Sequence, residues 1–378
     1  TVIQEPIIVN NTVVVSTGSY TYRVGKLVLK KDSSGQYAVK EYALIPVNET
    51  VKDDKAILDK INGYKKIVDE EYLSKFGYKF DEVLATSTFA FTAIENFALK
   101  LEEDTLGSLI ADSYVYAIKQ QEGGNYVDVD AAIAPSGVIR GSFDEGAVTV
   151  SEIYNACSLG IGKDKIPGYP LVSIYLTGKE LKNVAEVDAS VSSVMTEAQL
   201  YISGMSYTYN PKRLFLNRVT DVKLVKDGNT ADIEDDKLYR VAAELYSAQM
   251  LGAVKDKSFG LLSIIPKDKD GIEITNFEDH IIYTNDNKEL KQWAALADYI
   301  SSFSHDGANT VPLYYSQTQS RKVLSESSGI AELVKQPNKV FFIFVSAFAV
   351  IVLLIAFVTF KIRKALKKRR QKKQAEYI

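Results

Sequence analysis

The sequence predicts a mixed α/β (α+β) body that ends in one membrane-spanning helix. Three observations carry this. From about Asp81 to Tyr315, short apolar runs alternate with longer segments of near-helical apolar spacing. Residues 1–48 are rich in Val, Ile and Tyr between turn signals, the composition of strands. Val340 to Phe360 is an uncharged stretch of 21 residues, long enough to cross a bilayer as one helix. The 378 residues, 46% of them hydrophobic, accommodate about two domains and a tail.

In chain order, strands are expected over Pro6–Val9, Thr12–Ser16, Tyr22–Leu29 and Tyr37–Val47. Asn10-Asn11 and Asp32-Ser33-Ser34-Gly35 are the intervening turn signals. These strands need further strands to bury their apolar face, and the chain is expected to lack an N-terminal part. Thr50–Gly77 reads as a helix: Ile57, Ile61, Tyr64, Val68, Tyr72 and Phe76 recur at near-helical spacing. It is either a linker between domains or an ordinary packed surface helix.

The second domain opens with a helix over Leu106–Lys119, where Glu102, Glu103 and Asp104 suit the positive end of the dipole. Then follow a strand (131–134), a helix (Val150–Cys157), a strand (Leu171–Leu176) and a helix (Gly178–Glu186). Strands at 199–209, 218–225 and 238–243 and a helix over Glu289–Phe303 complete it. The expected domains are 1–48, a linker 49–80, 81–315, a polar stalk 316–338, a membrane helix 339–361 and a basic tail 362–378.

Charge is unevenly distributed. Residues 1–338 carry 35 basic and 47 acidic residues, a net charge of -12, while nine of the 45 basic residues lie between Lys361 and Lys373. An acidic body does not suit nucleic acid, which needs basic patches against phosphate. The tail reads as the cytoplasmic flank of a membrane helix, which places the body outside the cell. No L-P-x-T-G signal precedes the helix, so it is expected to persist as an anchor. Cys157 stands alone, which excludes a disulfide framework and a cysteine-based metal site. The two histidines, His280 and His305, lie in loop-like sequence, and His305-Asp306-Gly307 reads as a turn. Dense metal-ligand sets of His and carboxylate are missing from the sequence pattern.

The turn Pro135-Ser136-Gly137 after the strand at 131–134 is the candidate site. Glycine lets backbone approach a ligand closely. Arg140, three residues on, can grip a phosphate through two parallel hydrogen bonds. By itself this pattern is also that of an ordinary loop with a solvated charge; its surroundings decide.

Those surroundings resemble the C-terminal domain of the 5′-nucleotidase / 2′,3′-cyclic phosphodiesterase family. The resemblance rests on E-D-T-L-G-S-L-I-A-D (103–112), A-P-S-G-V-I-R (134–140), L-T-G-K-E-L-K (176–182), I-S-G-M-S-Y-T-Y-N-P (202–211) and L-Y-R-V-A-A-E-L-Y (238–246). Residues 13–29 resemble the closing strands of that family's metallophosphatase domain.

The resemblance implies a nucleotide or related phosphoester as ligand, Ser136, Gly137 and Arg140 as the phosphate-side turn, and Tyr246 as one base-stacking aromatic. Leu159 takes the place of the family's other aromatic. It also implies two divalent metal ions held in a catalytic domain outside this chain, with no cofactor in the chain itself, which alone is expected to be inactive. Pro135 replaces the family's Asn, Glu102 its early arginine, and Q-M-L-G (249–252) its G-G-D-G. Losing one aromatic face is worth ~1–3 kcal/mol per base contact. The structural alternative for Tyr246 is a core tyrosine at a strand end. Two functions stay open: part of an exported, membrane-anchored phosphoester hydrolase, or a non-catalytic surface binding module that keeps the fold with a degenerate site.

Overall fold

Alternating Val, Ile and Tyr in the first residues form two antiparallel hairpins. In the computed structural model, which describes residues 1–375 except 20, 32, 34, 258–259 and 306–307, β1 (Ile7–Val9) pairs with β2 (Thr12–Val14), and β3 (Arg23–Lys31) with β4 (Tyr37–Pro46). Asn10 and Asn11 both adopt positive φ (47° and 65°), the backbone of a two-residue hairpin turn. Asp32 and Ser34 of the second expected turn lie outside the described residues. Ile7, Ile8 and Val9 are exposed. α1 (Lys55–Glu71) starts five residues later than expected because Asp54 caps it, accepting from the N–H groups of Ala56 and Ile57. It stops at Glu71, where Tyr72 leaves helical geometry.

The chain divides into two units, Thr1–Lys75 and Phe76–Ile378. The second runs β5 (Val83–Ser87), α2 (Thr105–Glu122), β6 (Ala131–Pro135), β7 (Gly146–Thr149), α3 (Val150–Ala156), β8 (Leu171–Thr177) and α4 (Gly178–Val191). β9 (Leu200–Ser203), β10 (Met205–Tyr209), β11 (Val219–Lys226), β12 (Asn229–Asp232), β13 (Leu238–Glu244), α5 (Leu245–Lys257) and α6 (Gln292–Ser301) follow. After the short β14 (Ser304–His305) and β15 (Ala308–Asn309) come β16 (Lys322–Leu324), α7 (Ile330–Leu333) and α8 (Lys339–Ala375). Asp306 and Gly307 of the expected turn are outside the described residues.

The central sheet has the order β8-β13-β6-β9, and β13 and β6 are parallel within it. Every residue of β6 is buried, as in a sheet covered on both faces. α2 packs on β6, β9 and α6. Ile133, Val172 and Ile174 join Leu181 and Val184 of α4 and Tyr207 of β10 in one hydrophobic core. The second sheet has the order β12-β11-β10-β16.

Four expectations are corrected. The strand over 199–209 is two strands in different sheets, broken at Gly204. There φ is +74°, and a Cβ would sit 2.2 Å from the Asp130 carbonyl oxygen, so only glycine fits. The helix over 289–303 begins at Gln292, because Glu289 and Lys291 are taken up in a buried ion cluster. Of the acidic residues before α2, only Asp104 caps the helix. Glu103 turns away to accept from the N–H groups of Gln319 and Arg321. The polar run expected as a stalk is packed. β16 pairs in parallel with β10, and Arg321 makes a bidentate ion pair with Asp112 of α2. The helix α5, directly after β13, was not expected.

α8 is long and apolar enough to cross a membrane. It continues unbroken from the apolar stretch into the basic run.

Candidate functional site

The parallel pair β6 and β13 fixes the site. Their register sets Ala131, Ala132 and Ile133 opposite Val241, Ala242 and Ala243. Past the paired residues, β6 runs into the turn Ser136–Val138 and β13 into α5, whose second residue is Tyr246. β8 runs the other way, with Leu171 opposite Glu244, so Tyr169 enters the sheet at the same level. The turn at Ser136 and the start of α5 thus each follow the carboxyl end of one of two adjacent parallel strands, the end at which open α/β sheets bind ligands.

The turn Ser136–Val138 is held from behind. Ser136 donates its N–H to the Gln199 carbonyl (2.7 Å) and its hydroxyl to the Thr196 carbonyl (2.7 Å). A Cβ on Gly137 would stand 2.9 Å from the Glu197 carbonyl oxygen. Gly137 thus serves a close backbone approach to residues 196–198, and the Ser136 hydroxyl is already committed. The Arg140 N–H bonds the Ala156 carbonyl at the end of α3 (2.9 Å). Its side chain is exposed, and no hydrogen bond or ion pair engages the guanidinium among the described residues.

Leu159 follows the end of α3 and is half-buried. Its carbonyl accepts from the Tyr169 N–H (2.9 Å). Gly160, at φ +87°, lies under the Tyr169 ring, which a Cβ would meet at 2.2 Å. Tyr169 in turn stacks on Tyr246, with centroids 5.8 Å apart and an interplanar angle of 20°. Tyr246 is 42% exposed in the first turn of α5, not a core residue. Leu159 and Tyr246 are thus both in contact with Tyr169, while Arg140 is joined to the end of α3 through its backbone.

Sequence reasoning missed Tyr169 and Glu244. Glu244 ends β13 and is fully buried. Its Oε1 accepts from the Ser247 N–H (2.9 Å) and hydroxyl, capping α5, while its Oε2 has no partner among the described residues. Burial raises its pKa from 4.5 to about 8, so the carboxyl is largely neutral at pH 7. Burial and then Glu244 push the Cys157 thiol up to about 12. The signal for Tyr169 was an aromatic in Gly168-Tyr169-Pro170, just ahead of a predicted strand.

The loop before Tyr169 is fastened by buried charges. Lys291, with no exposed surface, bonds Asp164 Oδ1 (2.8 Å) and Glu289 Oε2 (2.7 Å), and Glu289 Oε1 accepts from the Asp164 N–H (2.8 Å).

A cavity of about 540 Å³ lies elsewhere, lined by Glu122, Ser173, Tyr175, Arg240 and His280 among others. Its arginine is spent in a bidentate pair with Glu122, and Arg140 does not line it. Among the described residues no group of three or more His, Cys, Asp or Glu is arranged to hold a metal ion.

Comparison with known proteins agrees with the motifs. The chain is 25% identical over 243 residues to a 5′-nucleotidase-related protein of Glossina morsitans morsitans, covering 62% of this chain and 40% of that protein. It is 24% identical over 296 residues to the trifunctional nucleotide phosphoesterase protein YfkN of Bacillus subtilis, covering 77% of this chain and 18% of that one. The chain thus spans less than half the length of either relative. The 5′-nucleotidase precursor of Thermus thermophilus shares the fold, with a TM-score of 0.57 and 18% identity over 85% of this chain and 54% of that one. The sequence model of the family described as 5′-nucleotidase, C-terminal domain, matches residues 83–254. Residues 83–254 of this chain therefore match a 5′-nucleotidase C-terminal domain.

Proposed function

We propose that the second unit is the nucleotide-recognition part of an exported, membrane-anchored phosphoester hydrolase. What supports this reading is an exposed arginine, with no hydrogen bond or ion pair among the described residues, in the segment after β6, and an exposed aromatic platform in the segment after the neighbouring parallel strand β13. In this reading Arg140 grips the phosphate, the Ser136-Gly137 turn sets its position, and the base lies on Tyr246 with Leu159 at its edge. A base held between two rings needs about 7 Å, two van der Waals contacts of roughly 3.5 Å. The Tyr169–Tyr246 centroids are 5.8 Å apart, so the base takes the free face of Tyr246 and Tyr169 backs it.

Hydrolysis belongs to the whole protein. The metals that supply its nucleophile are held by residues outside those described here, and this chain binds and orients the ligand. α8 spans the membrane, with the body outside and the basic tail in the cytoplasm. Residues 1–48 are the closing strands of the catalytic domain, 49–80 the linker and 81–315 the recognition domain.

Calorimetry with the full chain in detergent tests the site. A nucleoside monophosphate should bind more tightly than its nucleoside, and Arg140→Ala should abolish that difference while sparing nucleoside binding. Equal affinity of wild type for the two ligands, or an unchanged difference in Arg140→Ala, overturns the assignment. Absence of binding by any nucleotide favours the binding-module alternative. Protease added to intact cells should digest the body and spare the tail.

A further inference from the structure

α8 does not hang from the domain by a tether. Val340, its first apolar residue, is 1% exposed and belongs to the hydrophobic core. Asn338 caps the helix: its Oδ1 accepts from the N–H groups of Val340 (3.0 Å) and Phe341 (3.2 Å). The same residue is bonded to the loop between β10 and β11. Its Nδ2 donates to the Leu216 carbonyl (2.6 Å) and its N–H to Asn217 Oδ1 (2.9 Å). Arg213 of that loop, 5% exposed, donates to the carbonyls of Asn217 (2.7 Å), Glu332 (2.6 Å) and Lys335 (2.6 Å). The loop and the start of the helix are one rigid piece.

That connection sets the height of the loop above a bilayer. The headgroup zone is about 5–7 Å deep on each side, and a residue advances the chain by at most about 3.6 Å. Leu214 and Phe215 lie two and one residues from Leu216, so they cannot be far from the level at which α8 enters the hydrocarbon. Both are exposed, 39% and 44%. Scattered exposed apolar residues are ordinary on a soluble surface. An adjacent Leu-Phe pair at this height is not scattered. Cations lie on the same segments: Arg218 is 5.6 Å from the Phe215 ring, Lys212 opens the loop, where its ammonium bonds the Glu326 carbonyl and Ser328 Oγ, and Lys339 opens the helix. Arg218 also bonds Ser193 Oγ (2.9 Å), and the next residue, Val194, is 78% exposed. An apolar tip rimmed by Lys and Arg is the pattern of segments that lie in a membrane interface.

We propose that the loop 212–218 is a second membrane contact, which seats Leu214 and Phe215 among the lipid headgroups and fixes the orientation of the domain on the bilayer. The inference rests on the reading that α8 spans the membrane. The partner is the phospholipid surface itself, and its anionic lipids would be favoured by the cationic rim.

The test uses the full chain in nanodiscs of phosphatidylcholine and phosphatidylglycerol. Phe215→Cys is labelled with an environment-sensitive fluorophore, and Ile272→Cys, at an exposed position far in sequence from the loop, serves as the reference. Cys157 is buried and does not compete for label. Emission from the buried Trp293 verifies folding of each variant. The label at 215 should emit to the blue of that at 272 and be quenched severalfold more by headgroup-level spin-labelled lipid. Water-like emission and reference-level quenching at 215, in protein that resists alkaline carbonate extraction, overturn the loop contact and leave the anchor standing. Release of the chain by carbonate overturns the anchor and the loop contact together.

Discussion

The ring of Tyr246 rests on that of Tyr169, 77 residues earlier in the chain, at a centroid separation of 5.8 Å and 20° between planes. One side of this pair faces Gly160, over which no side chain fits. The pair exists because β8 and β13 are antiparallel neighbours in register, so each strand delivers its terminal aromatic to the same level. An aromatic platform thus arises at the sheet end even though Leu159 replaces the expected second ring.

Replacing Tyr246 by Ala should weaken nucleoside binding by ~1–3 kcal/mol, the worth of one base-aromatic contact. Tyr169→Ala should cost less, because Tyr169 backs the platform without touching the base. Calorimetric titration of both variants checks the ranking, and thermal melts should show little change for Tyr246→Ala, since that ring is 42% exposed.

Gly160→Ala should displace the Tyr169 ring. Its φ of +87° strains any side chain, and the added Cβ would meet the ring at 2.2 Å. A loss of at least about 1 kcal/mol in unfolding free energy is expected from backbone strain alone. Chemical denaturation measures it, and tyrosine fluorescence should report the separation of the stacked rings.

Glu244 predicts a pH dependence of stability. Its carboxyl is raised from 4.5 to about 8 in the folded state, so within that window the native protein holds a proton that the unfolded chain has released. Stability from this group is fully present below pH 4.5 and falls as pH rises, by up to ~1.4 kcal/mol per pH unit. Glu244→Gln keeps an acceptor for Ser247 and removes the ionisation. Urea melts at acid and alkaline pH should show the variant gaining on wild type as pH rises, and an equal difference at both ends would refute the protonated assignment.

Lys291→Met should destabilise the protein by ~3–5 kcal/mol, because Glu289 and Asp164 lose their buried counter-charge. Thermal denaturation checks this. The additional change Glu289→Gln should recover part of the loss, since it removes the carboxylate left unpaired.

The elements that local sequence could specify were legible. β6 is an uninterrupted apolar run and β8 a largely apolar one, and the Asn10-Asn11 turn has the backbone that its residues favour. The turn Ser136–Val138 and the exposed Arg140 after it were readable because glycine, turn and cation adjoin in sequence. What escaped depends on distant partners. Gly204 breaks a strand because the Asp130 carbonyl crowds it, and Lys291 leaves the helical pattern to meet Asp164, 127 residues away. Tyr169 gains its place only through Tyr246, and Glu244 its raised pKa only through burial. The Ser136 hydroxyl, readable as a ligand donor, is claimed by Thr196 for the same reason.

The lysine of β16 carries a practical corollary. Lys322 sits 2.8 Å from Asp188, both shut off from solvent, and Asp188 also accepts from the Tyr207 hydroxyl and the Leu200 N–H. A soluble version trimmed ahead of that lysine would leave an orphan anion inside the protein and an unzipped sheet margin along β10. The residues just ahead of α8 are thus a keystone of the folded body, and any version without α8 that retains the native packing has to be cut beyond them.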